Sequence, residues 1–135
     1  MTIFEEVYNV FLSKITDRDL ISLTENLRND VMEGFLGSAI AQFSLCEKDL
    51  EDTNDILKQF NATLDRLEKE ILSRYMVIEW SNGFIQSEEF LKQKLGSRDY
   101  SLHSPANHLD KLTELRSINT KEAKELIREY YYRNP

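Results

Sequence analysis

The sequence predicts an all-α protein, a compact bundle of about four to five helices around a central helix at about residues 64–80, with an irregular loop at about 44–61. Three observations carry that expectation. Leu64, Leu67, Ile71, Leu72, Tyr75 and Ile78 recur at spacings of three and four, one face of an α-helix. Only four glycines and two prolines are present, too few for the many tight turns of a β-sandwich. Residues that favour helix starts precede several of the apolar stripes. The length suits one domain, residues 1–135.

The first helix is marked by Thr2 and Glu5, which have the spacing of a capping box, and by the stripe Phe4, Val7, Tyr8, Phe11, Leu12 and Ile15. Thr16-Asp17-Arg18-Asp19 interrupts it as a short linker. A second helix is expected over about 23–43, opened by Ser22 and Glu25. Its stripe is Leu23, Leu27, Val31, Phe35, Ala39 and Phe43, widened by Leu36 and Ile40. Gly34 and Gly37 each cost about 1 kcal/mol inside a helix, which points to a close crossing with another backbone or to a bend. Residues 44–61 keep no long period; an ordered loop pinned by its apolar residues is expected, with a short hairpin as one possibility.

The central helix carries opposite charges four residues apart at Asp65–Lys69, Arg66–Glu70 and Glu70–Arg74, worth ~0.2–0.5 kcal/mol each. At Tyr75-Met76-Val77-Ile78 it becomes apolar all round, as a helix entering a core does. Ser81-Asn82-Gly83 reads as its stop, with Gly83 as a left-handed cap. Ser87 then opens a short helix that Gly96 closes, and Ser104-Pro105 starts the last one. That helix carries Leu109, Leu112, Leu115 or Arg116, Ala123, Leu126, Ile127 and Tyr130, with a weak stretch at 117–120 read as a kink or a restart.

Composition narrows the function. The net charge is −7, and residues 1–61 hold five Lys/Arg against twelve Asp/Glu, whereas residues 62–135 hold twelve of each. An acidic half of this kind repels phosphate and argues against sequence-specific DNA binding. The opening TIFEEV is acidic, unlike a secretory leader. No apolar run approaches a membrane span, and the single cysteine, Cys46, fits synthesis in a reducing compartment. No metal or cofactor is expected. Cys46, His103 and His108 do not have the spacing of a zinc site. A calcium loop counted from Asp49 would place Asn54 and Phe60 where glycine and glutamate are needed. Cys46 with either histidine is the sole cysteine–histidine option for nucleophilic catalysis, and no phosphate-binding or nucleophile-elbow motif accompanies it. The expectation is a protein without enzymatic activity. Tyr130-Tyr131-Tyr132 cannot all face one core. Either one of them meets a partner, or Tyr130 is core while Tyr131 and Tyr132 lie along the surface.

A longer pattern runs through the chain: Ala39-Ile40-Ala41-Gln42-Phe43-Ser44-Leu45-Cys46 followed by Asp49-Leu50, then Leu67-Glu68-Lys69-Glu70-Ile71-Leu72, Met76-Val77-Ile78-Glu79-Trp80, Ser97-Arg98-Asp99-Tyr100, and Ser104-Pro105-Ala106-Asn107-His108-Leu109 before the tyrosine-rich end. It resembles the small neck proteins of tailed bacteriophages and prophages, the head–tail connector, adaptor or head completion class. In that class a Leu and a Pro follow the Trp, where this chain has Ser81-Asn82-Gly83. The resemblance implies a virion protein at the head–tail junction, made in the host cytoplasm. It implies a homo-oligomeric, dodecameric ring beneath the portal protein, neighbouring neck or tail proteins as further partners, and genomic DNA passing through the channel without sequence-specific binding. On that reading residues 45–60, with Asp49, Leu50 and Asp52, line the channel or face a neighbour, and Tyr130, Tyr131 and Tyr132 dock onto the portal. The alternative is a small acidic helical binding protein, an assembly chaperone or DNA-mimicking regulator absent from the mature particle.

Overall fold

The computed structural model describes residues 1–103 and 108–133, and in it one long helix is the hub. In chain order the elements are β1 (Thr2–Ile3), α1 (Phe4–Leu12), α2 (Arg18–Ser22), α3 (Glu25–Gln42), β2 (Thr53–Asn54), β3 (Gln59–Phe60), α4 (Arg66–His103) and α5 (His108–Arg133). The protein is mostly helical, and α4 packs against α1, α3 and α5. A small antiparallel sheet of order β1-β3-β2 closes one side. The expected start at Ser104-Pro105 lies outside the described residues, as do the side chains of His103 and Tyr100 and the chain end beyond Arg133.

In α1, Phe4, Val7, Tyr8 and Phe11 are buried at the spacings three, one and three, as its stripe predicts. Its expected cap is used elsewhere. Thr2 sits in β1 opposite Phe60, and its hydroxyl accepts a hydrogen bond from the Leu64 amide at 2.9 Å. The amide of Phe4 is satisfied by the Lys58 carbonyl. The Thr16–Asp19 linker runs into the single-turn α2, capped by Asp17: one carboxylate oxygen accepts from the Leu20 amide at 3.1 Å, the other from the Trp80 indole at 2.9 Å.

The second expected helix exists as α3, capped by Thr24 in place of Ser22, with a different buried face. Met32, Leu36, Ala39 and Phe43 are in the core, whereas Leu27 and Val31 are exposed. Geometry explains the correction, because residues spaced by four advance about 40° past a full turn at each step. The stripe from Leu23 to Phe43 therefore winds around the axis, and only its last part can share a face with Leu36. Neither glycine marks a close crossing: Gly34 and Gly37 are exposed, and an added Cβ at either would meet nothing within 4 Å.

The central helix does not stop at Ser81-Asn82-Gly83. Ser81 is buried with its hydroxyl bonded to the Ile78 carbonyl at 2.8 Å, and Asn82 accepts from Arg116 of α5 at 3.0 Å. Packing along α5 thus overrides the local stop signal, and Gly83 is an exposed helical residue. The break comes at Gly96, whose φ of 78° only glycine adopts readily. Four contacts set α4 and α5 antiparallel: Glu68 with Tyr130, Arg74 with Asn119, Asn82 with Arg116, and Glu88 with His108. The stretch 117–120 of α5 passes without interruption. Buried Asn119 accepts from Arg74 and donates to the Leu115 carbonyl, so its polarity is accounted for.

These glycines yield a first prediction. Gly34→Ala, Gly37→Ala and Gly83→Ala should each stabilise the fold by about 0.5–1 kcal/mol, by narrowing the unfolded ensemble with no native clash. The three together should add nearly independently in urea denaturation.

Candidate partner-binding surface

The irregular segment after Phe43 is organised by one buried carboxylate. Asp65 and Glu68 cap the start of α4 reciprocally, each side chain accepting from the other's amide at 2.8 Å. Glu68 is fully buried, which isolated would be prohibitive for a charge. It is paired with the Lys48 ammonium, accepts from the Tyr130 hydroxyl at 2.6 Å, and receives the Cys46 thiol at 3.4 Å. The same Tyr130 hydroxyl accepts from the Glu47 amide at 2.9 Å. Arg133 stacks over the Tyr130 ring at 4.2 Å and reaches Asp65 at 2.7 Å. Loop, central helix and last helix are thereby tied at one point.

Burial alone would raise the Glu68 carboxyl, but Lys48, Tyr130 and the Asp65 amide outweigh it and hold the group below its ordinary range. Asp65 is lowered for the same kind of reason: the Glu68 amide and Arg133 outweigh its burial. Burial pushes the Cys46 thiol up, and it also raises the Tyr130 phenol, with Glu68 adding to it, so both keep their protons. A thiol held protonated beside a carboxylate is a poor nucleophile. His108 faces Glu88 and not Cys46. Among the described residues, no three His, Cys, Asp or Glu side chains gather in a way that could hold a metal ion. No helix there is long and apolar enough to cross a membrane.

The six residues named for docking divide into three pairs. Leu50 and Tyr130 are core residues, 5% and 1% exposed. Tyr130 packs edge-on against Phe43 at 5.2 Å. Asp49 and Asp52 are exposed but locally engaged: Asp49 accepts from the Glu51 amide, Asp52 from the Asn61 side chain. Tyr131 and Tyr132 project from the last turn, 58% and 70% exposed, with their rings edge-to-face at 5.2 Å.

No family model, curated protein or solved structure matches the chain.

Two features go beyond the sequence reading. The short hairpin held open as one possibility for 44–61 is present as β2–β3, but its exposed apolar tip was not foreseen: Ile56 and Leu57 stand in the open, Ile56 almost wholly so. Asn54 shapes the tip by accepting from the Ile56 and Leu57 amides at 3.0 Å each, and Lys58 takes the left-handed conformation that closes it. The other is the Glu68 anchor itself. Its signal is legible as Asp65-Arg66-Leu67-Glu68, a capping-box spacing directly before an apolar run.

Proposed function

We propose that the chain is a virion structural protein, a head–tail connector (head completion) subunit that assembles as a ring under the portal, extends the DNA channel and docks the next neck or tail component. The resemblance along the chain is the source of this reading, and the helical bundle is compatible with it. The observation that carries docking is the Tyr131–Tyr132 pair, two exposed aromatic rings on a helix end that Glu68, Asp65 and Phe43 hold in place. Rigid tyrosines of this kind are favoured anchors at protein interfaces, because little side-chain entropy is lost on binding. The exposed acids Asp49, Glu51, Asp52 and Asp55 suit a wall past which DNA moves unbound.

The test is native mass spectrometry of the chain with the portal protein encoded beside it. Closed rings or saturable portal binding support the adaptor, and a chain that ignores the portal overturns it. Tyr131→Ala/Tyr132→Ala should weaken portal binding by at least about tenfold without lowering the melting temperature, since neither ring is in the core. Unchanged affinity would remove the pair from the interface. Truncating at Tyr130 would be a poorer test, because it deletes a core ring. A chain that binds assembly proteins but is missing from purified particles would favour the transient acidic binder.

A further inference from the structure

A groove of about 510 Å³ lies where α1, α3 and the hairpin tip meet, away from the Tyr131–Tyr132 pair. That volume falls within the ~300–1,000 Å³ of ligand sites. Its chemistry is one-sided. Glu5, Asp30 and Glu33 line it against the single cation Lys58. Glu5 and Asp30 have no ion-pair partner among the described residues, while Lys58 holds both oxygens of Glu33 at 3.0 and 3.2 Å. An acidic cluster alone would say little, since solvated acids are ordinary. Tyr8 adds an independent observation: it is 4% exposed, lines the groove, and its hydroxyl makes no hydrogen bond with the described residues, unlike that of Tyr130, so its oxygen is left to the groove and the solvent in it. Burial raises its phenol, with Glu33 and Asp30 adding to that, so the hydroxyl remains protonated beside two carboxylates.

We propose that this groove is a docking site for an arginine-bearing segment of a partner protein. A guanidinium offers five donors in a planar fork and has no acceptor. The groove offers what such a group lacks, namely the free carboxylates of Glu5 and Asp30 and the lone pairs of the Tyr8 hydroxyl. Ile3 and Leu57, both exposed, supply apolar surface for the aliphatic stem and the flanking residues, which a small free cation would not use. Lys58 on Glu33 already shows a cation seated at the rim. Both partners of that pair are solvent-accessible, so an incoming guanidinium displaces it at small cost. The site stands apart from the adaptor reading and needs no portal for its test.

The experiment is an amide chemical-shift titration of the intact protein with the blocked peptide acetyl-Leu-Arg-Leu-amide, its citrulline counterpart, and spermidine. Saturable shifts confined to residues 3–8, 26–33 and 57–58 are expected with the arginine peptide. Affinity should fall about tenfold with citrulline and in Asp30→Asn/Glu33→Gln. Tyr8→Phe should bind several-fold more weakly, and unchanged affinity there would remove the hydroxyl from the site. Lys58→Met should bind more tightly, because it frees Glu33, a gain that mere damage to the fold would not produce. Absence of saturation, equal binding of the citrulline peptide, or weaker binding by Lys58→Met overturns the proposal. Spermidine matching the arginine peptide in footprint and affinity also overturns it, since the groove would then be a site for free cations.

Discussion

Replacing Glu68 by alanine is expected to destabilise the protein by about 3–5 kcal/mol, the scale for breaking a buried ion pair by removing one partner. The cost is large because several groups lose their partner at once. Lys48 would be left without its nearest anion, the Tyr130 hydroxyl and Cys46 thiol without an acceptor, and the Asp65 amide without its cap. The Tyr130 hydroxyl cannot turn to water without undoing the junction of loop, α4 and α5, whereas Lys48, its side chain 32% exposed, keeps some access to solvent. Glu68→Gln should cost less, about 1.5–3 kcal/mol, since the amide keeps the shape and some hydrogen bonds but not the charge. The pH dependence separates this from loss of packing. Glu68 sits below its ordinary value of 4.5 in the folded protein, so near that pH the unfolded chain binds more protons. Its contribution is complete above 4.5 and is lost as pH falls through the lowered folded value; Asp65 behaves likewise below 3.8. Urea midpoints measured from neutral pH downward should therefore show wild type and Glu68→Gln converging below pH 4.5. A gap that stays constant through that range would mean the carboxylate is not the source of the stability.

The contrast between Glu68 and Thr2 shows what a sequence can disclose. Asp65-x-x-Glu68 is a local signature, readable from spacing, and the structure uses it as a capping box. Thr2-x-x-Glu5 has the same kind of spacing, yet the Thr2 hydroxyl caps Leu64, sixty-two positions away. Local rules state which groups could be satisfied nearby; the fold decides which are. The stripe of α1 was legible because its buried residues fall at i, i+3, i+4 and i+7 and so stay on one face. The uniform spacing of four in α3 drifts, which left Leu27 and Val31 in solvent. Ser81-Asn82-Gly83 misled for another reason. Its stop signal is worth about a kilocalorie per residue, less than the burial of Ser81 and Ile85 and the Asn82–Arg116 bond that continuing the helix secures. The aromatic terminus was half legible: three adjacent tyrosines cannot share a face, but only the position of Glu68 assigns the buried place to Tyr130.

Phe60→Ala should be comparably severe, at about 3–5 kcal/mol, and its effect should be local before it is global. Phe60 is fully buried in the middle strand and meets Phe4 edge-on at 4.9 Å. Each strand of the sheet is two residues long, too short for its ladder to be stable alone. The ring is therefore what holds the ladder to the bundle: Phe60 faces Thr2 on one side and Thr53 on the other. With the ring removed, both neighbours lose the surface against which they are registered. Hydrogen exchange should show this first, as lost protection at residues 2–4 and 59–61, with α4 and α5 keeping theirs until global unfolding. The melting temperature should fall by ~10–20 °C. Phe60→Leu, which keeps most of the buried volume, should recover more than half of the loss. The hairpin tip and the Tyr8 groove both depend on this strand, so peptide binding should be lost in Phe60→Ala and return in Phe60→Leu. Protection at residues 2–4 that survives the alanine substitution would mean that backbone pairing, and not the ring, holds the sheet.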